Sequence, residues 1–235
     1  MQIVHNEEII EFSVKYSKRK SLLISVIPTN EVKVTAPLGV SEELIKDNVR
    51  KKADWILKKI NQFNEIDFEK IEKKYVNNEI FLYLGKDYFL QIKDDVPYKK
   101  AKAKLKGDNI IIYTPSNDKQ IIKKAVEDWY RKRTKEKLVE RINYYQKYFD
   151  VYPIKIVSKI QKRRWGTCTS KREIYFNLKC AMLPMNIFDY VVVHELCHMV
   201  HMNHKEKYWS LVESIIPDYK ERKEWLKING HKIEL

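Results

Sequence analysis

The stretch His194-Glu195-Leu196-Cys197-His198 sets two imidazoles four residues apart with a carboxylate beside the first. In a helix each residue advances ~100° and rises ~1.5 Å, so the two histidines share one face, ~6 Å apart along the axis. So placed, they can grip one metal ion together. Glu195 is displaced around the helix, where it reaches a water on the ion rather than the ion itself. Two histidine ligands and a glutamate general base are the equipment of a zinc-dependent hydrolase.

The surroundings fit that chemistry. Tyr190-Val191-Val192-Val193 precedes the motif, apolar enough for a buried helix, where unpaired charge is costly. Four of the six histidines fall within eleven residues, at 194, 198, 201 and 204. His204, ten positions after His194, is the expected third ligand, with Glu213 and His201 as alternatives. His201 shares the face of His194 but lies ~10 Å further along a straight helix. For His204 to swing back, Asn203 is expected to adopt a left-handed conformation and end the helix at Met202. Cys197 faces away from the histidines and reads as a core thiol. Tyr208 and Trp209 are expected to pack under the site, and Tyr208, His201 and Arg164 are candidates for oxyanion stabilisation. In Lys162-Arg163-Arg164-Trp165-Gly166 the glycine is expected to allow a tight bend and Trp165 to line a cleft.

The elements that must hold these residues can be read along the chain. Residues 9–37 read as strands, with Ile10, Phe12, Val14 and Tyr16 alternating with polar residues and a turn at Pro28-Thr29-Asn30. Ser41 reads as the N-cap of one helix running to about Gln62 and burying Leu44, Ile45, Val49, Trp55, Ile56 and Ile60. Residues 63–78 form a polar connector. Strands follow at 79–85, 87–92, 98–106 and 109–114, with a hairpin at Gly85-Lys86. A second long helix is expected after Pro115-Ser116, to about Phe149, with Trp129, Leu138, Ile142 and Tyr145 inward. Both halves read as strands, proline and a helix carrying Asp-Trp, which fits either a diverged duplication or chance likeness. After Pro153 come strand, turn and strand, then a helix from Asn186, expected as its cap, through the histidines. Two short helices, near 205–215 and 218–228, finish the chain. The fold class is therefore α+β: an N-terminal region, 1–115, and a catalytic part, 116–235, that shares the second helix. That helix and the metal-site helix are expected on opposite sides of a short sheet.

Composition limits the classes. The 235 residues include 46 Lys+Arg against 32 Asp+Glu, net +14, and 44% are hydrophobic. That supplies a core and excludes wholesale disorder. No apolar run approaches the ~20 residues of a membrane-spanning helix, and no signal peptide is visible. Cys168, Cys180 and Cys197 are too few for a disulfide framework. A cytoplasmic protein is expected, with no membrane partner. The basic balance would attract nucleic acid non-specifically, most strongly if residues 98–106, 131–137 and 162–164 form one continuous face.

The segments RRWGTCTSKREIYFNLKCAMLP and FDYVVVHELCHMVHMNHKEKYW resemble the YgjP-like metallopeptidase family, related to the WLM and SprT-like zinc proteases. The specific parts are Arg164 to Cys168 and His194 to Trp209, and the likeness extends over nearly the whole chain. Thr167 stands where serine is expected. The resemblance implies a compact zincin-type domain with zinc-dependent peptidase activity, and its Asn-His pair followed by an aromatic-Trp pair supports His204 as a ligand. The expected reading is a zinc metallopeptidase acting on peptides or proteins. Zn2+ would be held by His194, His198 and His204, Glu195 would be the base, and Arg164, Trp165 and Tyr208 would meet substrate. The rivals are a metal-dependent hydrolase of non-peptide amides or esters and a protease acting on DNA-bound proteins. An exposed strand edge beside the metal would favour peptides.

Overall fold

The computed structural model describes all residues except 28–29, 65–71, 95–98 and 162–163. Most of the expected Pro28-Thr29-Asn30 turn, part of the 63–78 connector and the start of the 98–106 strand thus lie outside the described residues. The chain forms two compact units, Met1–Lys70 and Ile71–Leu235. The division falls at 70/71 rather than 115/116, because the second set of strands and the long helix share one core with the histidine helix.

In the first unit, β1 (Gln2–His5), β2 (Glu8–Ser17), β3 (Leu23–Val26) and β4 (Val32–Pro37) form a sheet of order β1-β2-β4-β3. β1 lies ahead of the strands expected over residues 9–37. Ile3, Ile10, Phe12, Val32 and Val34 point inward and meet the helices α1 (Glu42–Arg50) and α2 (Ala53–Asn64). Ser41 caps α1, accepting from the Leu44 amide at 3.3 Å. The single helix expected here is broken at Lys51-Lys52. Its inner stripe runs Ile45, Val49, Ala53, Ile56 and leaves Leu44 (53% exposed) and Trp55 (42%) one position off the buried face.

The second unit begins with β5 (Ile80–Tyr83), β6 (Lys86–Lys93), β7 (Lys102–Lys106) and β8 (Asn109–Tyr113), in the order β5-β6-β8-β7. Strand for strand, this repeats the first sheet: antiparallel hairpin, parallel central pair, antiparallel edge. The hairpin turn is Leu84-Gly85, with Lys86 already in β6. The long helix α3 (Lys119–Tyr145) is capped by Asp118, which accepts from the Gln120 amide at 2.7 Å. It ends four residues before Phe149, in a 3-10 turn at Gln146–Tyr148. Trp129, Leu138, Ile142 and Tyr145 are all buried.

The strands β9 (Lys155–Lys159), β10 (Gly166–Cys168) and β11 (Glu173–Asn177) form a sheet of order β10-β11-β9. A 3-10 turn (Leu178–Met182) then leads into α4 (Met185–Cys197), and α5 (Glu206–Ile215) and α6 (Tyr219–Asn229) follow. Pro184, not Asn186, precedes the first helical residue, and its carbonyl accepts from Ile187 and Phe188 at 3.0 and 2.9 Å. The small sheet has one covered face. On it, Ser158 donates to the Arg131 carbonyl of α3 at 3.2 Å, while Gly166 lies against Glu195 of α4. Their cross-strand neighbour Phe176 is fully buried between them. The two helices therefore share a face instead of flanking the sheet, and they pack on each other. No described helix is long and apolar enough to cross a membrane.

Two devices fix the position of α4. The Leu84 and Gly85 amides donate to the carbonyls of Ala181 (2.7 Å) and Met182 (3.2 Å), seating the hairpin on the turn that launches the helix. Gly85 has φ +76°, and a Cβ there would stand 2.9 Å from Pro184 Cα, so the close approach leaves no room for a side chain. Further along, Arg141 of α3 grips Asp189 of α4 through Nε (2.6 Å) and Nη2 (2.9 Å). Removing one partner of a buried pair leaves the other charge uncompensated, at a cost of about 3–5 kcal/mol. Asp189→Ala is accordingly expected to lower the midpoint of thermal unfolding by several degrees; an unchanged midpoint in a thermal melt would show that the pair does not anchor α4.

Candidate metal centre

His194 and Glu195 occupy the last turn of α4, and His198 is its C-cap. The helix stops there, four residues before Met202, and the chain turns at once through His198–Val200. Asn203 does not adopt a positive φ; the earlier stop supplies the reversal that a left-handed residue was expected to make. His204 returns beside the helix. One nitrogen from each of His194, His198 and His204 lies within 4.8 Å of the other two. The Nε2 atoms of His194 and His204 are 3.3 Å apart. Two ligands held at ~2.0–2.1 Å in a tetrahedral zinc site are separated by about that distance. The three histidines therefore fit a divalent ion.

Their electrostatics fit as well. Burial, reinforced by His198, His204 and the Lys223 ammonium, holds His194 down to about 3. Burial also lowers His198, partly offset by its bond to His201, and lowers His204 together with repulsion from His198 and Lys223. All three imidazoles stay neutral, the form that binds metal.

The support around them is specific. The His198 Nδ1–H donates to the His201 carbonyl at 3.1 Å, which leaves Nε2 with its lone pair. The His201 contribution is thus a main-chain one, made possible by the turn after α4. Tyr208 is fully buried on α5, its ring beside those of His198 and His204, and its hydroxyl donates to the His194 carbonyl at 3.0 Å. That placement removes it from substrate or oxyanion contact. Trp209 stacks on His204 at 5.5 Å, and the Lys223 ammonium sits 4.1 Å above the indole. Glu213 is exposed and pairs with Lys220, outside the cluster. Cys197 is buried in the core.

Glu195 is 4% exposed, and Oε2 has no hydrogen-bond partner among the described residues; neither has His194 Nδ1. Burial pushes the Glu195 carboxyl up to about 8, against the opposing pull of Arg164 and of a bond from the Cys168 amide. A Cβ on Gly166 would stand 2.4 Å from Oε1. Gly166 is therefore not a bend residue. It lies within β10 without a positive φ and makes room for the glutamate. Arg164 and Trp165 line the same cleft of about 470 Å³ as His194, Glu195, His198 and His204.

Residues 20–229 match the family of YgjP-like metallopeptidase domains. The chain belongs to that family. Among solved structures it is similar to the metallopeptidase zymogen abylysin of Pyrococcus abyssi, at 19% identity and a TM-score of 0.35, over 37% of this chain and 89% of that one. No curated protein matches it.

In this YgjP-like chain several residues of the site carry no motif. Asn177 is buried and donates from Nδ2 to the carbonyls of Gln161 (2.7 Å) and Arg164 (3.0 Å), which ties Arg164 in place ahead of β10. Met202 and Leu226 also line the cleft. Trp165 is held from behind by Gly230, where a Cβ would stand 3.0 Å from the indole. Two outcomes follow. His201→Ala should keep stoichiometric metal after dialysis, because the contact is made by its carbonyl, whereas His204→Ala should lose it; equal retention would remove His204 from the ligand set. Gly166→Ala should keep the metal yet lose about a hundredfold or more in turnover by displacing Glu195; unchanged turnover would show that the close approach is not needed.

Proposed function

We propose that the protein is a zinc-dependent peptidase in which His194, His198 and His204 hold the ion and Glu195 is the general base. The observation that carries this reading is the unpartnered Glu195 Oε2 in the cleft that three converging neutral imidazoles also line. An all-nitrogen set of three neutral histidines suits zinc among the common divalent ions. When bound there, zinc supplies Lewis-acid polarisation of a carbonyl and makes water acidic enough to ionise near neutral pH.

The chain's own residues do the rest. Burial pushes the Glu195 carboxyl up to about 8, and its ionised form is favoured beside a cation held by the three histidines. Oε2 then takes the proton of the attacking water and delivers it to the nitrogen of the departing amine, so one carboxylate serves as base and then as acid. The Cys168 amide and the space over Gly166 keep that carboxylate in place. Arg164 supplies positive charge at the cleft, and Trp165 an apolar wall.

Peptides are favoured over other amides and esters by the edge of β10. Trp165 pairs with Asn177 and Thr169 with Glu173 through main-chain bonds of 2.8 and 3.0 Å. By the alternation of an antiparallel ladder, the main-chain groups of Gly166 and Cys168 turn away from β11; the Cys168 amide is taken by Glu195, which leaves the Gly166 amide and the two carbonyls. Both residues line the cleft, so an extended peptide can add there as a further strand, its carbonyl presented to the ion.

The test is metal analysis combined with cleavage of an unfolded protein. The wild type should contain zinc and lose activity to a chelator. Glu195→Gln should retain the zinc and the melting temperature while losing roughly a hundredfold to ten-thousandfold in turnover. Near-normal turnover in that variant would place the base elsewhere and overturn the mechanism.

A further inference from the structure

The repeated sheet provides an internal control. Aligning the two sheets by their registers makes Phe12, Val32 and Val34 equivalent to Leu90, Ile110 and Ile112, all buried on the inner faces. The outer faces then correspond position by position. Glu11 in the first sheet is Phe89 in the second, and Thr35 is Tyr113. On the edge strands, Leu23 corresponds to Lys102 and Ser25 to Lys104.

The outer face of the second sheet is thus both aromatic and basic. Phe89 on β6 is 42% exposed. The ammonium groups of Lys93 and Lys104 stand 6.0 and 5.9 Å from the centre of the Tyr113 ring. Lys102, Lys104 and Lys106 recur at every second residue of β7, on one face and exposed, and Lys99 and Lys100 precede them. Among the described residues, Asp87, Asp94 and Asp108 stand at the strand ends beside this face. The equivalent edge strand of the first sheet, Leu-Ile-Ser-Val, carries no lysine at all. Edge protection by lysine is therefore not demanded by this topology. The net charge divides in the same way. Residues 1–70 hold 12 Lys+Arg and 11 Asp+Glu, and residues 71–235 hold 34 and 21.

The broad basic face expected from 98–106, 131–137 and 162–164 is narrower than that. On α3, Arg131, Arg133 and Lys137 are closed by Asp128, Glu136 and Glu140 within the helix. Residues 162 and 163 lie outside the described residues. On β7 and the adjoining end of β6, Lys93, Lys102, Lys104 and Lys106 stand on one face of the sheet.

We propose that the outer face of the sheet β5-β6-β8-β7 binds single-stranded nucleic acid, with a base stacked on Phe89 and phosphates on the lysines of β7 and Lys93. A sheet face that offers an exposed ring at Phe89 and, further along, the lysines of β7 and Lys93 matches a single strand, whose bases are unpaired and whose backbone is anionic. A duplex hides its bases and would gain nothing from Phe89.

The experiment is fluorescence anisotropy of the full chain with labelled oligodeoxythymidine, over a series of salt concentrations. Binding should be clear at low salt. Its logarithmic salt slope should flatten by about 0.7 for each phosphate contact removed in Lys102→Glu/Lys104→Glu. Phe89→Ala should weaken binding roughly 5- to 150-fold and Phe89→Tyr should restore it. Lys15→Glu, at the position in the first sheet that corresponds to Lys93, should have little effect. Circular dichroism confirms that each variant is folded. Absence of binding at low salt overturns the proposal. So does Phe89→Ala binding as the wild type does, a preference for duplex, or equal displacement by polyglutamate, which would mark a site for acidic polypeptides.

Discussion

Helix α4 is buried on every side, and that burial is the constraint on which the rest of the second unit turns. From Ile187 to Val193 each residue is below a tenth exposed, Asp189 included, and Glu195 follows at 4%. A helix that is apolar all round must lie inside the protein. Yet this one also carries a carboxylate to α3 and an imidazole and a second carboxylate to the cleft. Each buried polar group needs a partner or a neutral form. Asp189 is answered by a two-pronged arginine, and the imidazoles are kept neutral by desolvation and mutual repulsion. What remains without a protein partner is the cleft carboxylate oxygen and His194 Nδ1.

Holding such a helix takes support at both ends. At its start, the hairpin Leu84-Gly85 bonds to the turn before Pro184, and Thr134 of α3 donates to the Leu178 carbonyl of that same turn at 2.9 Å. At its end, two hydrogen bonds lock the histidines: Tyr208 to the His194 carbonyl and His198 to the His201 carbonyl. The aromatic layer below them runs on from Trp209 to Tyr219, stacked at 5.3 Å. The His204 ring is thus held by Tyr208 and Trp209, which also lie against His194, although part of that residue is open to solvent. Rigid support of this kind is what keeps ligand nitrogens at the spacing an ion requires.

How far this was legible in the sequence depends on how local each feature is. The pairing of His194 with His198 follows from helical spacing alone, and the return of His204 followed from its offset. The inward residues of α3 followed from periodicity. The turn that returns His204 was misplaced by four residues, because helix stops are set by tertiary packing where no glycine marks them. Leu44 and Trp55 were misread for a related reason: a one-position phase error moves a residue across the edge of the buried stripe. Gly166 shows a deeper limit. Its sequence context, after two arginines and a tryptophan, suggested a bend. Its actual role is steric, toward a side chain 29 positions away, and no local pattern encodes that. Asn177 and the Arg141–Asp189 pair were invisible for the same reason, since their partners are brought near only by the fold.

The repeated sheet separates what the topology demands from what this chain adds to it. Both copies need a positive-φ turn in the first hairpin. Asn6-Glu7 serves in one, at φ 49° and 66°, and Leu84-Gly85 in the other, at 51° and 76°. The counterpart of Gly85 is Glu7, so the turn by itself does not require glycine. Glycine becomes necessary in the second copy because Pro184 lies against it, and that contact exists only where the sheet must seat the histidine helix. The same reasoning applies to the edge strands. Leu-Ile-Ser-Val suffices for pairing in one, so pairing does not require the alternating lysines of the other. The fold sets where side chains stand; the departures between two copies of one topology mark where they have been put to use.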